Sequence, residues 1–219
     1  MPVLVEDIMT RQVISVNPFN TVMETLKVAK ENRIRHIPIV EESTLKGVVS
    51  DRDLRSVSPS VLVEEDMNLL EKTLVKEIMI TNVITIHPLD TVEEAARLLY
   101  IHKIGCLPVV TGGDQMMGII TDGDVLASYV EMMGILEQGS VIQLDIPDRP
   151  GTLAKVLEII TEHGVNIISI FMPPKGKDNK ANSREIIIRL QTIDPSKIIA
   201  DIKELGFLVI WPELWGGAK

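Results

Sequence analysis

The chain is poor in cysteine, aromatic residues and basic charge, and it has no long apolar run. Its single cysteine, Cys106, excludes an internal disulfide and a cysteine-rich zinc site, which favours a reducing compartment. Lys and Arg number 22 against 31 Asp and Glu, so the net charge of -9 argues against a nucleic-acid partner. No segment holds about 18 uncharged apolar residues, and Met1–Arg11 has no secretory pattern. These absences predict a cytoplasmic protein without a membrane segment.

The chain does contain an internal repeat. The offset is 70 residues for the first pairs and 71 for the last: Met9 with Met79, Pro18 with Pro88, Pro38 with Pro108, Gly47 with Gly118 and Asp53 with Asp124. A match kept over this length indicates duplication of a whole supersecondary unit. The 219 residues, 45% of them hydrophobic, are enough for more than one core.

The most informative part of the repeat is the motif Gly47–Leu54, whose second copy is Gly118–Val125. Each copy reads glycine, two β-branched residues, a hydroxyl residue, two variable positions and aspartate. One interpretation is structural, with the hydroxyl and the carboxylate forming a capping box at a helix start: Ser50 with Asp53, and Thr121 with Asp124. The other is functional, because a carboxylate at this position can accept both ribose hydroxyls of a nucleotide. The two roles are compatible in one site.

Each repeat reads as β-α-β-β-α. Val13–Val16 and Val83–Ile86 are short apolar strands that stop before a proline. Capping boxes then begin the helices that follow: Thr21 with Glu24, and Thr91 with Glu94. The predicted divisions are a first unit at residues 1–60, a linker with a helix at 61–75, a second unit at 76–134 and a different unit at 139–219.

The last unit predicts β-α-β-β-α-β, the split arrangement of ferredoxin-like folds. Alternating apolar residues from Ile142 to Ile146 form the first strand, and a helical stripe follows until Gly164. The remaining elements are strands over Val165–Phe171 and Glu185–Leu190, a helix after Asp194-Pro195, and a strand over Phe207–Ile210.

The repeats resemble a tandem pair of CBS domains, also called a Bateman module, from Val3 to Met133. The resemblance rests on the Met-Thr or Met-Ile opening, the Asn-Thr-Val or Asp-Thr-Val helix start, the Pro-Ile-Val or Pro-Val-Val strand and both glycine-to-aspartate motifs. It implies an adenine nucleotide of the AMP, ADP or ATP type, bound as a regulatory ligand in clefts between the units. The implied ribose contacts are Ser50 and Asp53 in one cleft, Thr121 and Asp124 in the other. The implied adenine contacts, largely through the backbone, are Val13 and Ile37 in the first, Val83 and Leu107 in the second.

The last unit resembles an ACT domain, a small ligand-sensing module. Asp148–Ala154 and Gly164–Ile167 carry the resemblance. It implies an amino-acid or metabolite site, with a carboxylate bound by backbone donors near Gly151 and with Asn166 as a polar contact. Asp148 departs from the pattern of amino-acid-binding relatives, because its charge would repel the ligand carboxylate. The order of two CBS units and one ACT unit resembles the acetoin-utilisation AcuB family.

No group of residues predicts catalysis or a metal site. Cys106 is typical of a small buried thiol, and the four histidines show no metal-ligand spacing. His36 adjoins a cleft strand and is a candidate phosphate contact, although with Arg33 and Arg35 it also fits an ordinary helix end.

Arg52 and Arg55 follow Ser50 and are candidates for bidentate phosphate binding. The second copy has Gly123 in place of Arg52, so we expect the two clefts to differ in phosphate preference.

The hypothesis that follows is a non-enzymatic regulatory protein that senses an adenine nucleotide and acts on an unidentified partner enzyme. The alternative is a constitutive adaptor with vestigial sites, against which the intact Asp53 and Asp124 argue. We also expect a homodimer, because the last unit leaves a sheet edge unpaired and apolar residues extend beyond the clefts: Leu126, Met132, Met133 and Ile135.

Overall fold

Two β-hairpins, one from each repeat, form the centre of the first unit. The computed structural model describes residues 2–57, 64–174 and 182–212, apart from the side chains of residues 64–67, and separates Met1–Ser128 from Tyr129–Lys219. The helices that begin in the first unit are α1 (Val5–Ile8), α2 (Val22–Asn32), α3 (Asp51–Ser56), α4 (Glu64–Lys72), α5 (Val92–His102) and α6 (Asp122–Met132), with a 3-10 turn at Val75–Glu77. The strands are β1 (His36–Glu41), β2 (Thr44–Ser50), β3 (Cys106–Thr111) and β4 (Gln115–Thr121).

The four strands make one sheet in the order β1-β2-β4-β3. Within each hairpin the register places His36 opposite Ser50, and Cys106 opposite Thr121. The hairpins join through a single pair, Thr44 with Gln115. Each motif hydroxyl therefore lies at the end of an inner strand, where the following helix begins.

The opening segment of each repeat pairs with the opposite repeat. Thr10 bridges to Ile119 in β4, and Ile80 bridges to Val48 in β2. The sequence repeats are therefore not closed units in space, since each one completes the other.

Two glycines make this crossing possible. A Cβ on Gly118 would lie 2.6 Å from Met9 Sδ, and a Cβ on Gly47 would lie 2.7 Å from Met79 Sδ. The same Cβ atoms would lie 2.8 Å from Ile80 O at Gly47 and 3.0 Å from Thr10 O at Gly118, so both positions favour a residue without a side chain. The repeated glycine and the repeated methionine thus form one packing pair across the two repeats.

Two local predictions differ from the structure. The predicted strands at 13–16 and 83–86 reduce to single parallel bridges, Val16 with Ile39 and Ile86 with Val109. The capping box at Thr91 is only half formed, because Glu94 binds Arg97 at 2.6 and 2.7 Å instead of the Thr91 N–H. A nearby guanidinium competes successfully for the Glu94 carboxylate.

The second unit has the predicted β-α-β-β-α-β order. Its elements are β5 (Ser140–Pro147), α7 (Thr152–Glu162), β6 (Ile167–Phe171), β7 (Ser183–Leu190), α8 (Ser196–Glu204) and β8 (Leu208–Trp211). The sheet order is β6-β7-β5-β8, and all its pairs are antiparallel. Helix α8 begins one residue later than predicted, with Pro195 as its N-cap. Helices α7 and α8 cover the apolar side of the sheet, and the core includes Ile142, Leu144, Val156, Ile188 and Ile199.

Candidate functional site

Ser50 and Asp53 form a capping box at the start of α3. Asp53 Oδ2 accepts hydrogen bonds from the Ser50 backbone N–H at 2.9 Å and from its hydroxyl at 2.6 Å. The Asp53 N–H donates to Ser50 Oγ at 3.2 Å. Within the described ranges, Asp53 Oδ1 accepts no hydrogen bond. The cap therefore uses one carboxylate oxygen and leaves the other for a ligand.

Thr121 and Asp124 repeat this geometry at the start of α6. Asp124 Oδ2 accepts from the Thr121 backbone N–H at 2.8 Å and from its hydroxyl at 2.7 Å. As at Asp53, no described donor reaches Oδ1 of Asp124. Both copies of the motif thus form the cap and leave one carboxylate oxygen without a described hydrogen bond.

The first motif lines a cavity of about 950 Å³ together with residues of the second repeat. Ser50 and Asp53 lie on one side of this cavity, which we call the first cleft, and Val83 and Pro108 lie on the other. Its size is at the upper end of the range for small-molecule pockets. A ligand here would contact both repeats at once.

The second motif lines a smaller cavity of about 280 Å³, the second cleft. Thr121 and Asp124 contribute one side, and Val13 and Pro38 of the first repeat contribute the other. The two clefts are therefore built in the same way, with the roles of the repeats exchanged.

The cleft linings correct two predictions about the adenine contacts. Val13 was expected beside Ser50 and Val83 beside Thr121, but each lies in the opposite cleft because the opening segments cross. Ile37 and Leu107 were expected against an adenine, but both side chains are fully buried and line neither cleft. Successive residues of a strand face opposite ways, so the neighbouring positions reach the cavities instead: His36, Pro38, Cys106 and Pro108.

His36 lies at the boundary of the two clefts and lines both of them. Its ring packs so closely on Gly105 that a Cβ there would lie 2.6 Å from His36 Cε1. Burial and the neighbouring Arg35 lower the pKa of His36, while Asp122 and Asp53 act against that shift. The neutral ring is therefore favoured, and a bound phosphate would favour the charged form.

The predicted arginines both line the first cleft. Arg55 Nε donates to both carboxylate oxygens of Asp51 at 2.9 Å. Arg52 is exposed and forms no ion pair with a described side chain. Arg52 is thus the better placed of the two for binding an anion.

Sequence reasoning assigned Arg33 to an ordinary helix end and did not consider Lys103, although the two are a matched pair of cleft cations. Arg33 ends α2 with φ 55° and lines the second cleft, and Lys103 ends α5 with φ 54° and lines the first. Their offset of 70 residues is the signal that could have found them. A left-handed residue at a helix end is uncommon outside glycine and asparagine.

The structure gives no support for catalysis by Cys106. Burial, with a smaller contribution from Asp122, raises the pKa of its thiol to about 12. The thiolate needed for nucleophilic attack is therefore scarce at neutral pH. Within the described ranges, no cluster of three or more His, Cys, Asp or Glu could hold a metal ion, and no helix has the length and apolar content to cross a membrane.

The candidate residues of the second unit lie apart within one chain. The Asp148 N–H donates to Asn182 O just before β7, whereas the Gln191 N–H donates to Asn166 O just after β7. The stretch from Asn182 to Gln191 spans about 30 Å at about 3.3 Å per residue. One protomer therefore does not bring Asp148 or Gly151 together with Asn166, and a site that uses all three, expected at a dimer interface, stays a prediction.

Comparison with known protein families agrees with this paired architecture. A family model for the CBS domain matches residues 5–60 and 75–131, more than half of the chain, and a model for the ACT domain matches residues 140–207. The chain belongs to the CBS-domain family, as a tandem CBS pair followed by an ACT domain.

Three solved structures extend the comparison, each covering about three fifths of this chain. AcuB from Vibrio cholerae, assigned to acetoin utilization, shares 33% identity and a TM-score of 0.54 over 64% of this chain and 99% of its own. The CBS pair of MJ0100, solved with 5'-methylthioadenosine and S-adenosyl-L-methionine, shares 28% identity and a TM-score of 0.52 over 60% and 98%. CBSX2 from Arabidopsis thaliana, solved with AMP, shares 28% identity and a TM-score of 0.52 over 59% and 98%.

Proposed function

We propose that this chain is a non-enzymatic regulatory protein that senses an adenosine compound in its two clefts. The observation that carries the proposal is the free Oδ1 of Asp53 and of Asp124 within the described structure, each on a residue that lines one of the two clefts. A carboxylate in that position can accept hydrogen bonds from the vicinal hydroxyls of a ribose.

The opposite wall of each cleft suits a flat heterocycle. Val83, Ile84 and Pro108 line the first cleft, and the equivalent residues Val13, Ile14 and Pro38 line the second. Apolar walls with a few polar groups are typical of small-molecule sites. The similarity to CBS pairs solved with AMP, 5'-methylthioadenosine and S-adenosyl-L-methionine supports an adenosine ligand.

Sensing follows from the crossed construction of the unit. Each cleft joins the motif of one repeat to the opening segment of the other, so a bound ligand stabilises their paired arrangement. A partner enzyme that prefers this arrangement would then respond to the ligand concentration. The similarity to AcuB supports acetoin utilisation as the regulated process.

For the second unit we propose an amino-acid or metabolite site formed between two copies of the chain. Two copies can bring the Gly151 turn of one protomer to Asn166 of another, which one protomer does not do.

Exposed apolar residues also favour a homodimer, since Leu126 is 65% exposed and Ile135 is 46% exposed. Light scattering should give twice the 24.3 kDa chain mass, and a monomer at micromolar concentration would contradict this assembly.

Isothermal calorimetry on the full chain tests the nucleotide proposal. We expect Asp53→Ala and Asp124→Ala each to weaken binding at their own cleft by about ten- to a hundredfold, the effect of losing a charge-assisted hydrogen bond. The matched control is Asp7→Ala, because Asp7 Oδ2 accepts from the Leu4 N–H at 2.9 Å and lies outside both clefts. The proposal fails if the parent binds no adenosine compound, or if the double variant binds as the parent does.

A further inference from the structure

The two clefts share a motif but differ in the charged residues that surround it. At the positions of Arg52 and Arg55 in the first repeat, the second repeat has Gly123 and Leu126. The first cleft is lined by four cations and two carboxylates: Arg35, Arg52, Arg55, Lys103, Asp51 and Asp53. The second cleft has two of each: Arg33, Arg35, Asp122 and Asp124. One cleft is therefore cationic and the other is balanced.

The ion pairs increase this difference. Arg35, which lines both clefts, lies 3.9 Å from Asp122, so its charge is partly matched on the side of the second cleft. In the first cleft only Arg55 is tightly paired, through Asp51 at 2.9 Å. Arg52 and Lys103 form no ion pair with any side chain in the described ranges. Two cations without a described ion pair thus face the first cleft, against one, Arg33, in the second.

The space available differs in the same direction. The first cleft encloses about 950 Å³ and the second about 280 Å³. A phosphate chain extending from a ribose on Asp53 has room and cationic partners, and guanidinium groups bind phosphate with two parallel hydrogen bonds. A phosphate in the second cleft would meet the Asp122 and Asp124 carboxylates in a smaller space, where like charges repel.

We propose that the first cleft selects a phosphate-bearing adenosine compound and that the second cleft selects an adenosine compound without phosphate. This division rests on the proposed function and adds a specificity determinant to it, with Arg52 in the first cleft and its absence at Gly123 in the second. The chain would then compare two different metabolites rather than measure one of them twice.

Single-cleft proteins test the division. Asp124→Ala keeps the first cleft intact, and Asp53→Ala keeps the second. Calorimetry with ADP and adenosine gives an affinity ratio for each variant. We expect ADP to be favoured at least tenfold in Asp124→Ala, with a preference that falls as salt is added, and adenosine to be equal or favoured in Asp53→Ala.

Removing Arg52 from the first cleft and adding an arginine at Gly123 of the second tests its role directly. Adding Arg52→Ala to the Asp124→Ala protein should lower the ADP-to-adenosine ratio by about 1.5- to fivefold, the range for an ion pair of an exposed guanidinium. Arg97→Ala is the matched control, since Arg97 lies on α5 outside both clefts and pairs with Glu94. Adding Gly123→Arg to the Asp53→Ala protein should raise the ratio. A Cβ at Gly123 meets nothing nearer than Thr121 Oγ1 at 3.5 Å, so the backbone at this position accepts a side chain.

The outcomes separate this inference from the proposed function. Equal ratios in the two single-cleft proteins overturn the division while leaving adenosine sensing in place. A parent protein that binds neither ADP nor adenosine overturns both.

Discussion

The two units present their candidate ligand residues in opposite ways. In the first unit, residues from both repeats converge on two cavities, and each motif carboxylate keeps one oxygen without a described hydrogen bond. In the second unit, Asp148, Gly151 and Asn166 are all exposed, and Asn166 Nδ2 already donates to Gln191 Oε1 at 3.1 Å.

The comparison teaches that a motif becomes a site only when a second part of the chain encloses it. The repeat supplies that second part in the first unit, because each copy encloses the motif of the other. In the second unit, Asp148 Oδ1 lies 3.9 Å from Arg184 Nε. Asp148 is nevertheless exposed to solvent within one protomer.

The largest contrast should appear in thiol reactivity. With its pKa raised to about 12, the buried Cys106 thiol has about a thousandfold less thiolate at pH 8 than a thiol of ordinary pKa 9.0. An Asn166→Cys substitution in a Cys106→Ala chain places the matched thiol on the exposed turn. We expect a thiol reagent to label that position about a thousandfold faster than Cys106 in the parent. Equal rates would show that the first cleft is open to solvent at its base.

The next largest difference between the two units should be the loss of stability when a glycine is replaced by alanine. Gly118→Ala forces its Cβ against Met9 Sδ and Thr10 O, which should lower the free energy of unfolding by about 1–3 kcal/mol. Gly151→Ala meets open space but holds φ at 83°, so we expect about 1 kcal/mol from backbone strain. Urea denaturation measures both. The control Gly112→Ala has no atom within 4 Å and should change stability by less than about 0.5 kcal/mol.

The pH dependence of stability should depend on His36. Its folded pKa lies below the ordinary 6.5, so the unfolded chain binds more protons as pH falls through that value. The contribution of His36 to stability is therefore complete above about pH 6.5 and is lost as pH falls toward the folded pKa. Urea midpoints at several pH values between 8 and 5 should fall less steeply for His36→Gln than for the parent. The exposed His102→Gln is the control, and a parent slope equal to that of His36→Gln would contradict the assignment.

The smallest effect should come from Asn166. Asn166→Ala removes its side-chain hydrogen bond to Gln191 and should cost about 0.5–1 kcal/mol of stability. We expect adenosine-compound affinity to stay unchanged, because both clefts lie within Met1–Ser128. A changed affinity would contradict this expectation by showing that the second unit influences ligand binding in the first. In the same variant, NMR titration with the twenty amino acids should lose any response near Gly151 that the parent shows.

Local predictions from the sequence held where the controlling contacts are close in the chain. The capping boxes at Thr21, Ser50 and Thr121 depend on a carboxylate three residues away, and all three place the hydroxyl on the N3 backbone donor. The linker predicted to hold a helix, residues 61–75, contains α4 at Glu64–Lys72. The box at Thr91 is half formed: its hydroxyl also accepts from the N3 N–H, but Arg97 binds the Glu94 carboxylate, and periodicity carries no information on that competition.

The clefts themselves were harder to predict. The motif identified Ser50, Asp53, Thr121 and Asp124 as cleft residues, because their spacing is local and repeated. The facing residues were assigned to the wrong partners, since the offset of 70 makes the repeats equivalent and does not say which copy packs on which. The prediction for Ile37 and Leu107 was wrong by one residue along each strand. Neighbouring strand residues face opposite sides of a sheet, so these two side chains lie in the core and not in a cleft.

The sequence by itself determined the duplicated unit, the paired motifs, the β-α-β-β-α-β order of the last unit and the charge difference between Arg52 and Gly123, because each is encoded by neighbouring residues or by the repeat. Only the tertiary structure decided that the opening segments cross, through Met9 on Gly118 and Met79 on Gly47, so that each cleft combines both repeats. It also decided that Asp148 and Asn166 lie at opposite ends of β7. Contacts between distant segments depend on which surfaces pack best in three dimensions, and that choice has no local signature in the chain.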